Sequence, residues 1–374
     1  MSRVTATGTR NTALDADETP STGRLQSGAS GVRRRVPLSG ELLPSPPEHL
    51  ERGDDALDPG VRGVAEVVRA GLQHRPKRLP SWLLYDAEGS GLFELITELP
   101  EYYVTRTERT IFEAQRHVIA GHVCPTGRER LQVIELGAGT ATKSQILLGA
   151  IAAQQGGCTF HPVDVSPSAL ELACRRIGQE EPLVQVAPWV MHSEDALVAA
   201  SRLPSPKLVL FIGSSLGNYE EPEALGLLRG VREAVGSGGW LLLGMDRRKT
   251  LQRLIPAYDD AQGVTARFNK NILARINREL GGRFELERFE HVVVWNESLS
   301  RLELYLESKV DQLVHIEGLG LDVAFRAGER IHTESSHKYD DAMVDHLLGR
   351  SGFRRLHTFT DEEQLFLVVL ARVT

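Results

Sequence analysis

Apolar residues change their period twice along this chain. Val61, Val64, Val67, Val68 and Leu72 share one stripe with helical spacing, and Pro59 suits the opening of that helix. Arg75-Pro76-Lys77-Arg78-Leu79-Pro80 interrupts it. A second helix is expected over 91–99 and a third over 108–119, with Thr107 as its cap. From residue 132 short apolar runs alternate with helical stretches. Strands are expected at 132–136, 159–164, 184–189, 208–212 and 240–244, with helices at 144–154, 166–177 and 222–235 between them. That alternation is the rhythm of a doubly wound parallel sheet. After Asp246 the period shifts again. Residues 247–281 read as helical, with Ile272, Leu273, Ile276 and Leu280 on one stripe. Extended runs follow at 284–295, 301–309, 312–317 and 321–325. Leu302, Leu304 and Leu306 alternate as in a half-buried strand, and Asn296-Glu297-Ser298 reads as a hairpin turn. An antiparallel sheet is therefore expected as an insertion. A helix at 341–350 and strands at 357–359 and 364–372 then return the chain to the main sheet.

Composition narrows the class. The 374 residues suffice for one large or two medium domains. Residues 1–58 are rich in Ser, Thr, Gly, Pro, Asp and Arg and are expected to form a disordered tail. Arg33-Arg34-Arg35 within it reads as a solvated charge run. No apolar run approaches about 18 residues, so no membrane span is expected. No apolar stretch follows Met1, so a cytoplasmic location is expected. Cys124, Cys158 and Cys174 are odd in number and widely spaced, which argues against a disulfide framework or a zinc site. A formal charge of −7 gives no basic footprint for nucleic acid.

The candidate chemistry centres on Glu135-Leu-Gly137-Ala-Gly139-Thr140, at the junction of the first strand and its helix. Glycines there let backbone approach a ligand where a Cβ would collide. Thr142 stands where a dinucleotide fingerprint needs its third glycine, and no P-loop pattern is present. Asp164 ends the second strand, placed to accept hydrogen bonds from ribose hydroxyls. An acid at the strand end and no pyrophosphate cradle suit a nucleoside with an amino-acid tail, which describes S-adenosylmethionine. Gly213-Ser-Ser-Leu-Gly217-Asn218 follows the fourth strand at the same sheet edge, where it suits contacts to a substrate. Tyr102-Tyr103, Tyr258-Asp259-Asp260 and 333–339 are further polar and aromatic clusters. Glu334 and Ser336, two apart on an extended segment, point to one face and suit a small polar ring such as imidazole.

Taken together these segments resemble the histidine Nα-methyltransferases of ergothioneine biosynthesis. The resemblance runs from about Arg75 to the C-terminus. It is carried by Tyr85-Asp-Ala-Glu-Gly-Ser-Gly-Leu-Phe93, Leu99-Pro-Glu-Tyr102-Tyr-Val-Thr-Arg-Thr-Glu108, the glycine turn, Gly213 to Asn218, Ala257-Tyr258-Asp-Asp-Ala, Gly263-Val-Thr265-Ala-Arg-Phe268-Asn and Thr333-Glu334-Ser-Ser336. It implies a Rossmann-like class I methyltransferase sheet (α/β) with a second, α+β substrate-binding domain. On that reading residues 59–110 and 247–338 build the substrate domain, and 111–246 with 339–374 the cofactor domain. Tyr85, Gly137, Gly139, Lys143 and Asp164 would hold S-adenosylmethionine. Tyr102, Asn218 and Tyr258 would hold the α-amino and α-carboxylate groups of L-histidine and are the catalytic candidates, with Gly213 against the amine. Glu334 and Ser336 would bind the imidazole, beside Thr265 and Phe268. The resemblance further implies three successive transfers; methyl transfer from a sulfonium to an amine requires no metal, and a monomer is expected. Two departures stand out. The family places Gly-Asp-Phe after its third strand, with the Asp facing the adenine amino group. Here Met191-His192-Ser193 falls there, so His192 and Ser193 become the cofactor candidates. A family methionine beside the imidazole appears as Leu304, which conserves volume. The readings left open are a methyltransferase for another amino acid, such as tryptophan, and a non-catalytic binding module.

Overall fold

The computed structural model describes residues 59–124 and 130–374, so the tail and its arginine triplet lie outside the described residues. In chain order the N-terminal part contributes α1 (Pro59–Gln73), β1 (Lys77–Arg78), α2 (Ala87–Glu98) and α3 (Tyr103–Val123). The alternating part follows: β2 (Gln132–Leu136), α4 (Ser144–Gln155), β3 (Cys158–Asp164), α5 (Pro167–Glu180), β4 (Val184–Val186), β5 (Trp189–Val190), α6 (Ser193–Ser201), β6 (Lys207–Phe211), α7 (Glu221–Val235) and β7 (Trp240–Asp246). Then come α8 (Leu251–Leu254), α9 (Val264–Leu280), β8 (Phe289–Asn296), β9 (Arg301–Ser308), β10 (Gln312–Ile316), β11 (Leu321–Phe325) and β12 (Arg330–His337). The chain closes with α10 (Asp341–Ser351), β13 (Phe353–Thr360) and β14 (Phe366–Val373).

The main sheet has the order β13-β14-β7-β6-β2-β3-β4, with β5 beside β3. Strands β2 to β7 run parallel, and β14 enters antiparallel to β7. Every residue of β2, β6 and β7 is buried, as expected for strands covered on both faces. Alternation sends Ile134, Val209 and Leu241 to the core under α6, α7 and α10, and Val133, Leu208 and Leu242 to the opposite core. The buried Lys207 ammonium donates to the carbonyls of Ala200, Ser201 and Ala234 at 2.8–3.0 Å, closing the ends of α6 and α7.

A second sheet has the order β1-β12-β9-β8. Its inserted strands are antiparallel, and β1 joins β12 in parallel from more than 250 residues away in sequence, pairing Lys77 with Ile331. β10 and β11 form a separate hairpin. One core runs without a break from Leu210 through Phe112 to Ile272, Leu304 and Phe325, so the described residues share a single compact unit.

Several local expectations are corrected. Thr107 lies buried inside α3, which starts four residues earlier, and it caps nothing. The helix expected at 91–99 begins at Ala87, because the Asp86 carboxylate accepts the Gly89 N–H at 2.7 Å. The stretch 247–281 is broken. Asp260 accepts the N–H groups of Val264 and Thr265 at 3.0 and 2.7 Å, and Gly263 takes φ +68°, so α9 starts afresh there. The third strand is split in two, and α6 was not foreseen. The three cysteines are free, with Cys158 buried. No helix of the described residues is long and apolar enough to cross a membrane.

Candidate active site

The carboxyl ends of the main-sheet strands open into a cavity of about 2100 Å³. Its far wall is α2, α9, β9 and β12. Every residue to which the resemblance gives a role lines it, from Tyr85 to Ser336, whereas Tyr103, Asp259 and Asp260 do not.

The wall on the main sheet is built from backbone. Gly137 and Gly139 have φ +68° and +52°, with open space where a Cβ would stand, so conformation rather than crowding calls for glycine. Asp164 organises the turn: its Oδ2 accepts the Gly139 N–H at 2.8 Å and its Oδ1 accepts the Ser166 N–H at 2.9 Å. A carboxylate has about four lone-pair sites, so both oxygens retain capacity toward a ligand. Glu135 sits behind the turn, almost fully buried, and its Oε2 has no partner. Burial pushes its carboxyl up to about 8, against the pull of Ser144 and Lys143. A cationic ligand group beside it would satisfy that oxygen. Lys143 is paired with the buried Glu108, whose two oxygens also accept the Gly213 N–H at 2.9 Å. Glu108 thus ties α3, the glycine turn and the end of β6 together. It leaves no room at Gly244, where a Cβ would fall 1.8 Å from its Oε1. At the rim His192 is exposed, with its ring edge-on to Trp82 at 5.7 Å, and the half-buried Ser193 opens α6.

The opposite wall is built from side chains. Tyr85, Phe93 and Phe268 pack with centroids 5.3–6.0 Å apart, and Tyr102 faces both Phe93 and Tyr258 at 6.2 and 6.1 Å. Burial raises the phenols of Tyr85, Tyr102 and Tyr258, which therefore stay neutral donors. Thr265 is buried with its Oγ1 unpartnered. A register shift between His332 and Glu334 leaves Glu334 paired with Leu304 and Ser336 with Leu302. Glu334 and Ser336 then share the cavity face. Burial lifts the Glu334 carboxyl to about 7, opposed by Lys338 and the Asn218 amide. Gly217 lets that Asn approach, since a Cβ there would lie 3.1–3.2 Å from the His337 backbone. Tyr258 Oη lies 2.9 Å from Ser336 Oγ.

Behind this wall stands a charge cluster that sequence reading missed. Asp246 is fully buried and accepts from Tyr103 Oη at 2.8 and 3.0 Å, from Lys249, and from Lys338 at 2.8 Å. Burial alone would raise its carboxyl, but the two ammonium groups hold it below its ordinary value. The adjacent pair Tyr102-Tyr103 therefore splits, one ring facing the cavity and the other facing Asp246. Neither Glu108 nor Lys338 carries a sequence signal, because a buried charge looks like a surface charge until its partners are placed.

The strand order, the glycine turn at the carboxyl end of β2 and the two-walled cavity define a Rossmann-type methyltransferase that uses S-adenosylmethionine. The chain belongs to the family of histidine-specific, S-adenosylmethionine-dependent methyltransferases, which residues 64–373 match. It is 39% identical over 318 residues to the histidine N-alpha-methyltransferase of Mycolicibacterium smegmatis, covering 84% of this chain and 97% of that one. Identity to the Mycobacterium tuberculosis histidine N-alpha-methyltransferase is 37% over 319 residues, covering 85% and 97%. A similarity of 28% over 302 residues links it to ergothioneine biosynthesis protein 1 of Neurospora crassa, covering 79% of this chain and 33% of that protein.

Proposed function

We propose that this chain methylates the α-amino nitrogen of L-histidine three times, giving Nα,Nα,Nα-trimethylhistidine, the first step toward ergothioneine. One observation carries the reading: Glu334 with Asn218, and Ser336 with Tyr258, face the same cavity as the glycine turn. An imidazole carries one N–H donor and one acceptor nitrogen, which suits a carboxylate beside a hydroxyl. An indole carries only the donor, so tryptophan leaves the hydroxyl unused.

The residues divide the work. Residues 59–110 and 247–338 mainly serve the amino acid, and 111–246 with 339–374 mainly the cofactor; Tyr85 crosses to the cofactor, and Gly213 and Asn218 cross to the amino acid. Asp164 takes the ribose hydroxyls, Glu135 faces the amino group of the methionyl tail, and Gly137, Gly139, Tyr85 and Lys143 line the channel. His192 and Ser193 stand at the adenine end. S-Adenosylmethionine, when bound, supplies an electrophilic methyl carbon and a thioether leaving group. Tyr102, Asn218 and Tyr258 hold the α-amino and α-carboxylate groups, with the Gly213 backbone against the amine. Thr265, Phe268 and Leu304 bound the ring. Fixing the substrate at both ends aligns the free amine with the methyl carbon, which is catalysis by proximity. This chemistry asks for no nucleophilic side chain and no metal. The reading takes a single chain, acting in the cytoplasm, as the working unit. Mass spectrometry of products from histidine or tryptophan with S-adenosylmethionine tests the reading. Trimethylated histidine is expected, and methylation of tryptophan alone would overturn it.

A further inference from the structure

Lys338 follows directly on β12 and is fully buried. Its ammonium donates to Tyr258 Oη at 2.8 Å and to Ser336 Oγ at 2.7 Å, and it forms an ion pair with Asp246 Oδ2 at 2.8 Å. An ammonium has donors only, so both hydroxyl oxygens act as acceptors toward it. We propose that Lys338 is a positioning residue that sets the hydrogen-bond polarity of Tyr258 and Ser336, and with it the choice of amino-acid side chain. The proposal rests on the histidine reading above and deepens it.

The argument is a count of hydrogens. Tyr258 and Ser336 each own one hydroxyl hydrogen. Lys338 donates to both oxygens, so neither hydroxyl can spend its hydrogen on Lys338. One hydrogen fills the 2.9 Å contact between the two oxygens. The other has no partner within the pair and is left for the cavity. The pair therefore offers a ligand one O–H donor; with Tyr258 donating to Ser336, that donor is the Ser336 hydroxyl beside Glu334, and Tyr258 Oη keeps a lone pair for the amino-acid end. Glu334, two residues from Ser336, offers the acceptor. A donor beside an acceptor matches the two nitrogens of a neutral imidazole. Without the ammonium either hydroxyl is free to turn and offer a lone pair, and the distinction weakens. Lys338 also joins the side chain assigned to the amino-acid end, Tyr258, to one assigned to the ring, Ser336.

Asp246 stands behind the ammonium at 2.8 Å, and this pairing offsets the cost of taking both charges out of water. Asp246 is in turn held by Tyr103 and Lys249, the latter at the edge of the cluster.

A mutant cycle tests this. Lys338→Met is compared with the native chain, and again in a Tyr258→Phe/Ser336→Ala background. The readouts are kcat and KM for L-histidine and the S-adenosylhomocysteine Kd by calorimetry. Lys338→Met should raise the histidine KM about 10-fold or more and leave the S-adenosylhomocysteine Kd within about 2-fold; in the double-variant background it should add less than about 2-fold. A purely structural role would instead give losses that multiply in the two backgrounds, or equal losses for both ligands, and either result overturns the proposal. An unchanged KM overturns it too. If the Met variant does not fold, Lys338→Gln, uncharged but polar, carries the same cycle. A native chain inert toward histidine would overturn the functional reading and this proposal together. Multiplying losses in a histidine-active chain would overturn this proposal alone.

Discussion

The two walls of the cavity are built by different physical means. The wall on the main sheet works with backbone. Gly137, Gly139 and Asp164 lie within one βαβ unit, and the Asp164 oxygens take N–H groups from the same two turns. The opposite wall works with side chains from distant segments. Tyr258 and Ser336 are 78 residues apart, and Tyr103 and Asp246 are 143 apart. A backbone site needs only a turn of the right conformation. A side-chain site needs its hydroxyls held in place and told which way to donate, and the buried charges behind it do that.

The sharpest way to break this contrast is Glu334→Ala. Leaving a ring N–H unpaired costs about 1–3 kcal/mol, so histidine kcat/KM should fall about 5- to 150-fold. S-Adenosylhomocysteine binding by calorimetry should hardly move. Equal losses for both ligands would erase the division between the walls.

Gly244→Ala attacks the border between them. The new Cβ strikes Glu108, which holds both the Gly213 amide and Lys143. Overpacking of this kind costs about 1–3 kcal/mol. Thermal unfolding should show that loss, and both ligands should weaken together; weakening of histidine alone would move Glu108 to the substrate wall.

Glu135→Gln probes the backbone wall through pH. Burial raises the Glu135 carboxyl from 4.5 to about 8. Its contribution to stability is fully present below about pH 4.5 and is lost as pH rises through about 8. The Gln variant has no such loss. Its melting temperature relative to the native chain should therefore rise between about pH 5 and about pH 9. S-Adenosylhomocysteine binding should weaken in the same variant, and a flat difference across pH would remove Glu135 from the site.

The smallest effect is expected from Leu304→Met. Leu304 is buried behind the ring pocket, and a volume-conserving swap costs under about 1.5 kcal/mol. Relative rates with histidine and tryptophan should change only a few-fold.

Much of this was legible in the chain. The strands of the main sheet were visible because strands buried on both faces are unbroken apolar runs. In the final pair only β14 was visible for the same reason; β13 is half-exposed and mixed in sequence, so only 357–359 of its 353–360 reads as strand. Glu334 and Ser336 were visible as a pair because residues two apart on a strand share a face. Other features were hidden by local signals that tertiary contacts override. Thr107 looks like a cap but lies within a helix that starts at Tyr103. The break before α9 depends on Asp260, which reads like any exposed acid. α6 follows a short split strand, and its sequence carries little amphipathic pattern.

The sequence by itself determined the main-sheet wall of the cavity, since the glycine turn and Asp164 act through local backbone conformation that nearby residues encode. It also determined that Glu334 and Ser336 share one face of β12. Only the tertiary structure decided how those side chains are held. Glu108, Asp246 and Lys338 are charges taken out of water, and that burial is possible only where chain segments far apart in sequence supply the opposite charge and the hydrogen-bond partners.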